Sequence, residues 1–262
     1  MECARTADGE ELKSLAHDAA EEVLLALLQN PNFEEPHVMV MLERLDLPAP
    51  VLGAVAKEGK WASSEAVRLR LASHPRTPKR FALAAVRQLY LFDLVRLSLL
   101  PSAPADIRRV AEEVILTRIP HLAMGEKLTL ARRGPSRVAG AILAEGHPQA
   151  VKLALANAFL NESQILKALA KPGLAERVVA AIAQHPKWSC LYNVRVALVR
   201  NAQTPAAAVA DFLPQLTLAD VKQIARLEGL APHLKRHLRE ELLRRASDGD
   251  TAAGGSAARG IG

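Results

Sequence analysis

Apolar residues recur along this chain at three- and four-residue spacing in short blocks, and nowhere do they alternate with period two for long. That spacing predicts amphipathic helices rather than strands. The first block, carrying Leu12, Leu15, Ala16, Val23, Leu24, Leu27 and Leu28, predicts one helix from about Glu10 to Gln29, closed by Asn30-Pro31-Asn32. A second helix carries Val38, Met41, Leu42 and Leu45. A third opens at Pro48-Ala49-Pro50 and ends near Gly59, and a fourth begins at Trp61. From Thr77 a fifth reaches Tyr90, a short one follows to Leu100, and Pro101 to Pro104 leads into a helix ending near Arg118.

The junctions carry their own pattern. Val67 to Pro78, V-R-L-R-L-A-S-H-P-R-T-P, returns as Val194 to Pro205, V-R-V-A-L-V-R-N-A-Q-T-P. In each copy His74 or Asn201 follows the apolar run, where a left-handed residue commonly ends a helix. Thr77 and Thr204 read as N-caps for the next helix, with Pro78 and Pro205 at the first helical position, where a missing N–H costs nothing.

Shifted by 127, the chain matches itself well beyond this motif: Lys60-Trp61 falls on Lys187-Trp188, Gln88-Leu89 on Gln215-Leu216, and Asp93 on Asp220. A shift of 128 pairs Ala103-Pro104 with Ala231-Pro232 and Leu15-Ala16 with Leu143-Ala144. A finer period of roughly 42 residues, the length of a helix pair with its turns, sets Val67-Arg68-Leu69 on Val151-Lys152-Leu153. Between the halves Ile119 to Ile142 reads as extra: a helix ending at Arg133, a Gly134-Pro135 break and another helix start. Residues 1–9 are polar and are expected to fray. Residues 247–262, with no large apolar anchor except Ile261, are expected to be disordered.

The string V-R-x-x-L-x-x-[HN]-x-x-T-P, preceded by Lys60-Trp61 or His185-Pro186-Lys187-Trp188, resembles the leucine-rich repeat variant, a short helical solenoid unit. The longer period resembles HEAT-type repeats. The first likeness covers about a quarter of the chain. The second covers Glu10 to Arg245 as architecture, and further helices are inserted between the variant motifs. Neither family has one activity, so the resemblance implies a fold and leaves function open.

Composition agrees with that fold. Half of the 262 residues are apolar while only 3% are aromatic, which suits thin helix-on-helix packing. Cys3 and Cys190 are too few for a disulfide framework or a cysteine-ligated metal, pointing to a reducing compartment. The start of the sequence lacks a secretory pattern, and no apolar run approaches the ~18 to 20 residues that cross a bilayer. A cytoplasmic location without a membrane span is the expectation.

Candidate chemistry is sparse. His233, His237 and Glu240 could share a helical face and reach a metal, but Lys235, Arg236 and Arg239 beside them repel a cation, so a solvated face is expected. His74-Pro75, His147-Pro148 and His185-Pro186 fall at helix junctions and read as turns. Trp61 and Trp188 are equivalent by repeat and read as packing residues. The sharper reading follows HEAT-like alkylpurine DNA glycosylases, which use tryptophans and an acid on a concave surface; Glu65 lies one turn after Trp61, whereas Trp188 has Tyr192 there. There is no Gly-rich phosphate loop and no G-x-S-x-G elbow, and Cys190 has no identifiable histidine partner. No enzyme and no cofactor are expected.

Charge says more. Residues 1–65 carry 13 acids and 5 bases, whereas residues 66–137 carry 14 bases and 5 acids. Arg80 and Arg87 fall on one helical face, with Arg76 just before its start and Lys79 beside them, and the 127-shifted counterparts of the three arginines, Gln203, Ala207 and Pro214, are uncharged. Such a surface can bind phosphates or an acidic protein, or can be a solvated face.

The sequence therefore predicts an all-α solenoid of two tandem modules, residues 10–118 and 119–246, stacked as one rod. The function expected first is a non-enzymatic scaffold or adaptor that binds a protein partner through its helical surface. The alternative is nucleic-acid binding through Arg68, Arg76, Lys79, Arg80, Arg87, Arg132 and Arg133, and a glycosylase with Trp61 and Glu65 in its pocket is the remote third.

Overall fold

The computed structural model describes residues 2–228 and 230–257, with side chains as far as Ser247. Every regular element among them is a helix. The chain divides into two compact units, Met1–Leu122 and Ala123–Gly262.

Unit 1 contains α1 (Glu2–Thr6), α2 (Glu10–Leu15), α3 (Glu21–Leu27), α4 (Glu35–Met41), α5 (Ala49–Lys57), α6 (Gly59–Ala62), α7 (Glu65–Ser73), α8 (Lys79–Gln88), α9 (Leu91–Leu99) and α10 (Ala105–Arg118). Most are shorter than the ~12 to 15 residues that a helix needs to persist alone in water, so they exist by packing on one another. Two rows result: α2, α4, α7 and α9 follow one another in one, while α3 meets α5 and α8 meets α10 in the other. Between the rows lies a core that includes Leu24, Leu27, Phe33, Val38, Met41, Leu47, Val51, Leu52, Val55, Trp61 and Val67, all buried.

Unit 2 contains α11 (Met124–Arg133), α12 (Ser136–Glu145), α13 (Pro148–Leu155), α14 (Glu162–Leu169), α15 (Glu176–Gln184), α16 (Pro186–Ser189), α17 (Tyr192–Arg200), α18 (Ala206–Phe212), α19 (Leu218–Ala225) and α20 (Pro232–Ala257). Here α12, α14 and α17 follow one another, and α11, α13 and α15 do the same opposite them.

Several sequence expectations change. The helix expected over Glu10–Gln29 is two helices, because the chain turns at Asp18, whose carboxylate accepts the Ala20 N–H at 2.7 Å. The freed carbonyls of Ala16 and Asp18 accept from the Arg44 guanidinium at 3.0 and 2.7 Å. Residues 2–6, expected to fray, form α1, with Ala4 and Ala7 buried. Trp61 belongs to the one-turn α6 rather than to α7, and Leu45 lies beyond the end of α4 and is exposed. The last helix continues to Ala257, into the stretch expected to be disordered; residues 258–262 lie outside those described.

The junction motif also works differently from its sequence reading. His74 and Asn201 are extended, with φ,ψ of −74°,128° and −83°,123°, and no described non-glycine residue has positive φ. They act through their side chains. His74 Nδ1 accepts the Arg76 N–H at 3.1 Å while Nε2 meets the Arg44 carbonyl at 2.7 Å. Asn201 repeats the first contact, accepting the Gln203 N–H at 2.9 Å, and donates to the Leu169 carbonyl at 3.0 Å, the counterpart of Leu42 rather than of Arg44. The N-caps are Pro78 and Pro205, not the threonines: the prolines are extended, so the helix starts one residue later. Thr204 turns its hydroxyl back to the Leu198 carbonyl at 2.5 Å, and the buried Thr77 hydroxyl has no partner among the described residues.

Other hydrogen bonds recur at the same interval. Asn30 donates to the carbonyls of Ala4 and Ala7, and Asn157 to those of Ala131 and Gly134. Arg68 Nε donates to the Ala62 carbonyl and Arg195 Nε to that of Ser189. Arg118 reaches the Arg87 carbonyl and Arg245 that of its counterpart Pro214, while their second acceptors, Leu89 and Leu213, do not correspond. The segment read as extra, Ile119 to Ile142, thus holds the counterparts of Ala4 and Ala7.

His74 makes unit 1 acid-sensitive in a way that can be isolated. Burial lowers its pKa below 6.5 by more than the Arg44 carbonyl restores, and the nearby Arg76 charge lowers it further while Asp46 opposes. A depressed histidine pKa means that the neutral ring's contribution is complete above the unfolded value near 6.5 and is lost as pH falls below it. Protonated Nδ1 would also face the Arg76 N–H donor. His74→Asn, adopting the solution seen at Asn201, is expected to hold stability at pH 8 to within about 1 kcal/mol. It should also flatten the decline in urea midpoint between pH 8 and pH 5. His185, whose pKa is lowered by burial and then by Lys187, keeps a remaining slope. An unchanged slope in the variant would contradict this role.

Candidate binding grooves

The seven basic residues proposed from sequence are divided between the two units, and several of them are engaged within unit 1. Arg68 is internal to unit 1: its donors reach the carbonyls of Ala62 at 2.7 Å and Ser63 at 2.6 Å, and Glu65 at 2.9 Å. It closes the loop before α7, as Arg195 does before α17. Arg76 donates to the Asp46 carbonyl at 2.6 Å, and Lys79 pairs with Asp106 at 2.8 Å. Arg80 lies over the Phe81 ring at 4.6 Å from its centroid, and Arg87 is exposed near the other end of α8. Arg132 and Arg133 are exposed in the last turn of α11, in the other unit, where their charge favours the helix C-terminus.

The tryptophan–acid pair is structural as well. Trp61 is 2% exposed and edge-on to Phe33. Glu65 uses one oxygen for Arg68 and the other to accept the Tyr90 N–H at the start of α9. Burial, and then the Glu65 charge, raise the pKa of neighbouring Asp93. In unit 2 Tyr192 takes over: its hydroxyl accepts the Thr217 N–H and donates to Asp220. Glu65 and Tyr192 both hold the start of the next helix. His237 meets Glu240 at 3.4 Å, and no group of three metal-ligating side chains occurs among the described residues.

What the sequence reading missed is a groove that occurs in each unit. In unit 1 it lies between the end of α4 and α7 and is also lined by Arg96, Leu100 and Ser102 in and after α9, and in unit 2 it lies between α14 and α17. Lining positions correspond at the 127-residue interval: Leu42 with Leu169, Glu43 with Ala170, Leu69 with Val196, Arg70 with Ala197, Ser73 with Arg200 and His74 with Asn201. The open space differs greatly, about 150 Å³ in unit 1 and about 720 Å³ in unit 2.

The cause is visible in two of those pairs. Arg70 on α7 reaches across unit 1's groove to Glu43, just beyond the end of α4, at 3.4 Å. In unit 2 both positions are alanine, so no ion pair crosses there, and the half-buried Leu166, Val196 and Ala197 remain accessible. The rim is cationic. Lys171 and Arg200 line it, and no carboxylate does. Arg200 bonds to the neutral amide of Gln223 at 3.1 Å. The groove continues past Leu166 and Ala170 to Lys167 and Glu162, the latter accepting from Asn193 at 3.0 Å.

No family model, curated protein or solved structure matches the chain. The grooves therefore stand on their own geometry. Both needed knowledge of which helices lie side by side; the 127-residue shift sets alanines opposite Glu43 and Arg70 but does not show that those two side chains meet.

Proposed function

We propose that this protein is a non-enzymatic scaffold of HEAT-like helical repeats, built from two equivalent modules, that binds a protein partner along α14 and α17. The observation that carries the reading is the open groove of unit 2, set against the same groove bridged by an ion pair in unit 1. An apolar floor with a polar rim is the usual anatomy of a protein-recognition surface. The hydrogen bonds that recur at 127 residues support the duplication, and a duplicated module leaves one copy free to diverge into a binding site while the other keeps a closed surface.

Nucleic-acid binding is less favoured by the same geometry. Arg68, Arg76 and Lys79 are engaged within unit 1, and a backbone-binding surface needs several phosphate contacts from one contiguous cationic patch. The reading is tested by placing a photo-crosslinking amino acid at Asn193, exposed in the unit 2 groove, and at its counterpart Ala66 in unit 1. A discrete protein adduct from position 193, with none above background from position 66, is expected in cells. Adducts to nucleic acid, or equal yields from the two positions, would contradict it.

A further inference from the structure

We infer that the segment received by the α14–α17 groove is acidic, an aliphatic side chain entering between Leu166 and Val196 with carboxylates on either side. This rests on the groove being a protein-binding site and concerns the chemistry of what it takes. Lys171 stands on the rim without an acidic partner among the described residues, and Lys167 continues the row without one. Arg200 beside them is hydrogen-bonded to Gln223, and its charge also acts on Asp220.

Unit 1 shows that these charges are not needed to build the groove. The counterpart of Arg200 is Ser73, and that of Lys171 is Arg44, which is neutralised by Asp46 at 2.9 Å. The counterpart of Lys167 is Val40. Unit 2 therefore has Lys171 and Arg200 around its apolar floor but neither of the acids that unit 1 has at the corresponding places, Glu43 and Asp46 being replaced by Ala170 and Gly173; Glu162 remains only at the groove's far end, and unit 1's own Arg96 lines its groove beside Arg70. Uncompensated rim charges steer a ligand of opposite sign and reject one of like sign. A free groove with this potential fits a segment rich in Asp and Glu around a Leu, Ile or Val.

The test is selection of random 12-residue peptides displayed on phage against the full-length protein, beside the variants K171E/R200E and A170E/A197R. The wild type is expected to enrich acidic peptides that carry an aliphatic residue. A synthetic peptide from that pool should bind roughly tenfold more weakly to K171E/R200E, whose exposed positions leave the fold intact by circular dichroism. Loss of binding to A170E/A197R places the peptide in the groove.

Enrichment of neutral or basic peptides that A170E/A197R abolishes would keep the groove as a binding site and overturn its acidic specificity. Absence of any enrichment would overturn the specificity directly. Concentration-dependent self-association by light scattering, abolished by K171E/R200E, would replace the partner segment by the acidic residues of a second copy. Displacement of the selected peptide by duplex DNA would likewise overturn a protein occupant.

Discussion

Asn157→Ala is expected to destabilise the chain by about 3 to 4 kcal/mol, the largest effect of any single polar substitution proposed here. Asn157 is 1% exposed, and its amide donates to the carbonyls of Ala131 at 2.9 Å and Gly134 at 3.0 Å. Its oxygen accepts the Phe159 N–H at 2.7 Å. Removing the side chain leaves two carbonyls without partners in the interior, each costing about 1 to 3 kcal/mol before relaxation, and releases the N–H of the exposed Phe159. The carbonyls cannot hydrate easily, because α11 is ten residues long and packs on both α12 and α13.

Asn30 makes the corresponding bonds in unit 1, yet Asn30→Ala should cost about half as much. Its acceptors, Ala4 and Ala7, belong to or adjoin the five-residue α1, whose main contact is α3. Local opening of so short a helix lets water satisfy the carbonyls, so the cost is capped by the price of undocking α1. Urea unfolding of both variants compares the two costs. Hydrogen exchange should show faster exchange confined to residues 2–7 in Asn30→Ala. Equal destabilisation by both substitutions would mean that α1 is held as firmly as α11.

The two tryptophans offer the second large effect. Trp188 Nε1 donates to the Leu155 carbonyl at 2.9 Å, whereas the buried Trp61 Nε1 has no partner among the described residues. The difference accompanies a change in the neighbour: Phe33 stands edge-on to Trp61 with centroids 6.2 Å apart, and the residue 127 positions on is Leu160. Trp188→Phe removes ring volume and strands a carbonyl, for an expected cost of about 3 kcal/mol. Trp61→Phe removes ring volume but also an unsatisfied N–H, so about 1 kcal/mol is expected. Thermal unfolding of the pair decides it; an equal or larger loss at position 61 would show that Trp61 is bonded in solution.

Helical spacing and breakers made most of this fold readable. The helix from Ala105 to Arg118 was placed by Pro104 and by apolar periodicity, and α11 by the Gly134-Pro135 break. The errors arose where long-range partners act. Asp18 and Arg44 cut one periodic stretch into two helices, although the apolar spacing runs through the break. Asn30 docks a segment whose own composition predicts fraying. At the junctions the residue types were right and their roles were not, since whether His74 uses its backbone or its ring depends on the Arg44 carbonyl, 30 residues away. Charge counting marked residues 66–137 without showing that Arg68 is spent on its own loop. The groove stayed hidden because its defining change is two alanines, which carry no chemical signal until Glu43 and Arg70 are seen to meet in the other unit.

If the unit 2 groove is a binding site because it lacks that bridge, restoring the bridge must abolish binding. Ala170→Glu with Ala197→Arg transplants the ion pair to the corresponding positions. The decisive measurement is the yield of the protein adduct from the crosslinker at Asn193 in this double variant, with its thermal midpoint recorded alongside. The account predicts that the adduct disappears while the midpoint stays within about 3 °C of the parent, as expected when an exposed ion pair is added. An undiminished adduct in the folded variant would contradict it.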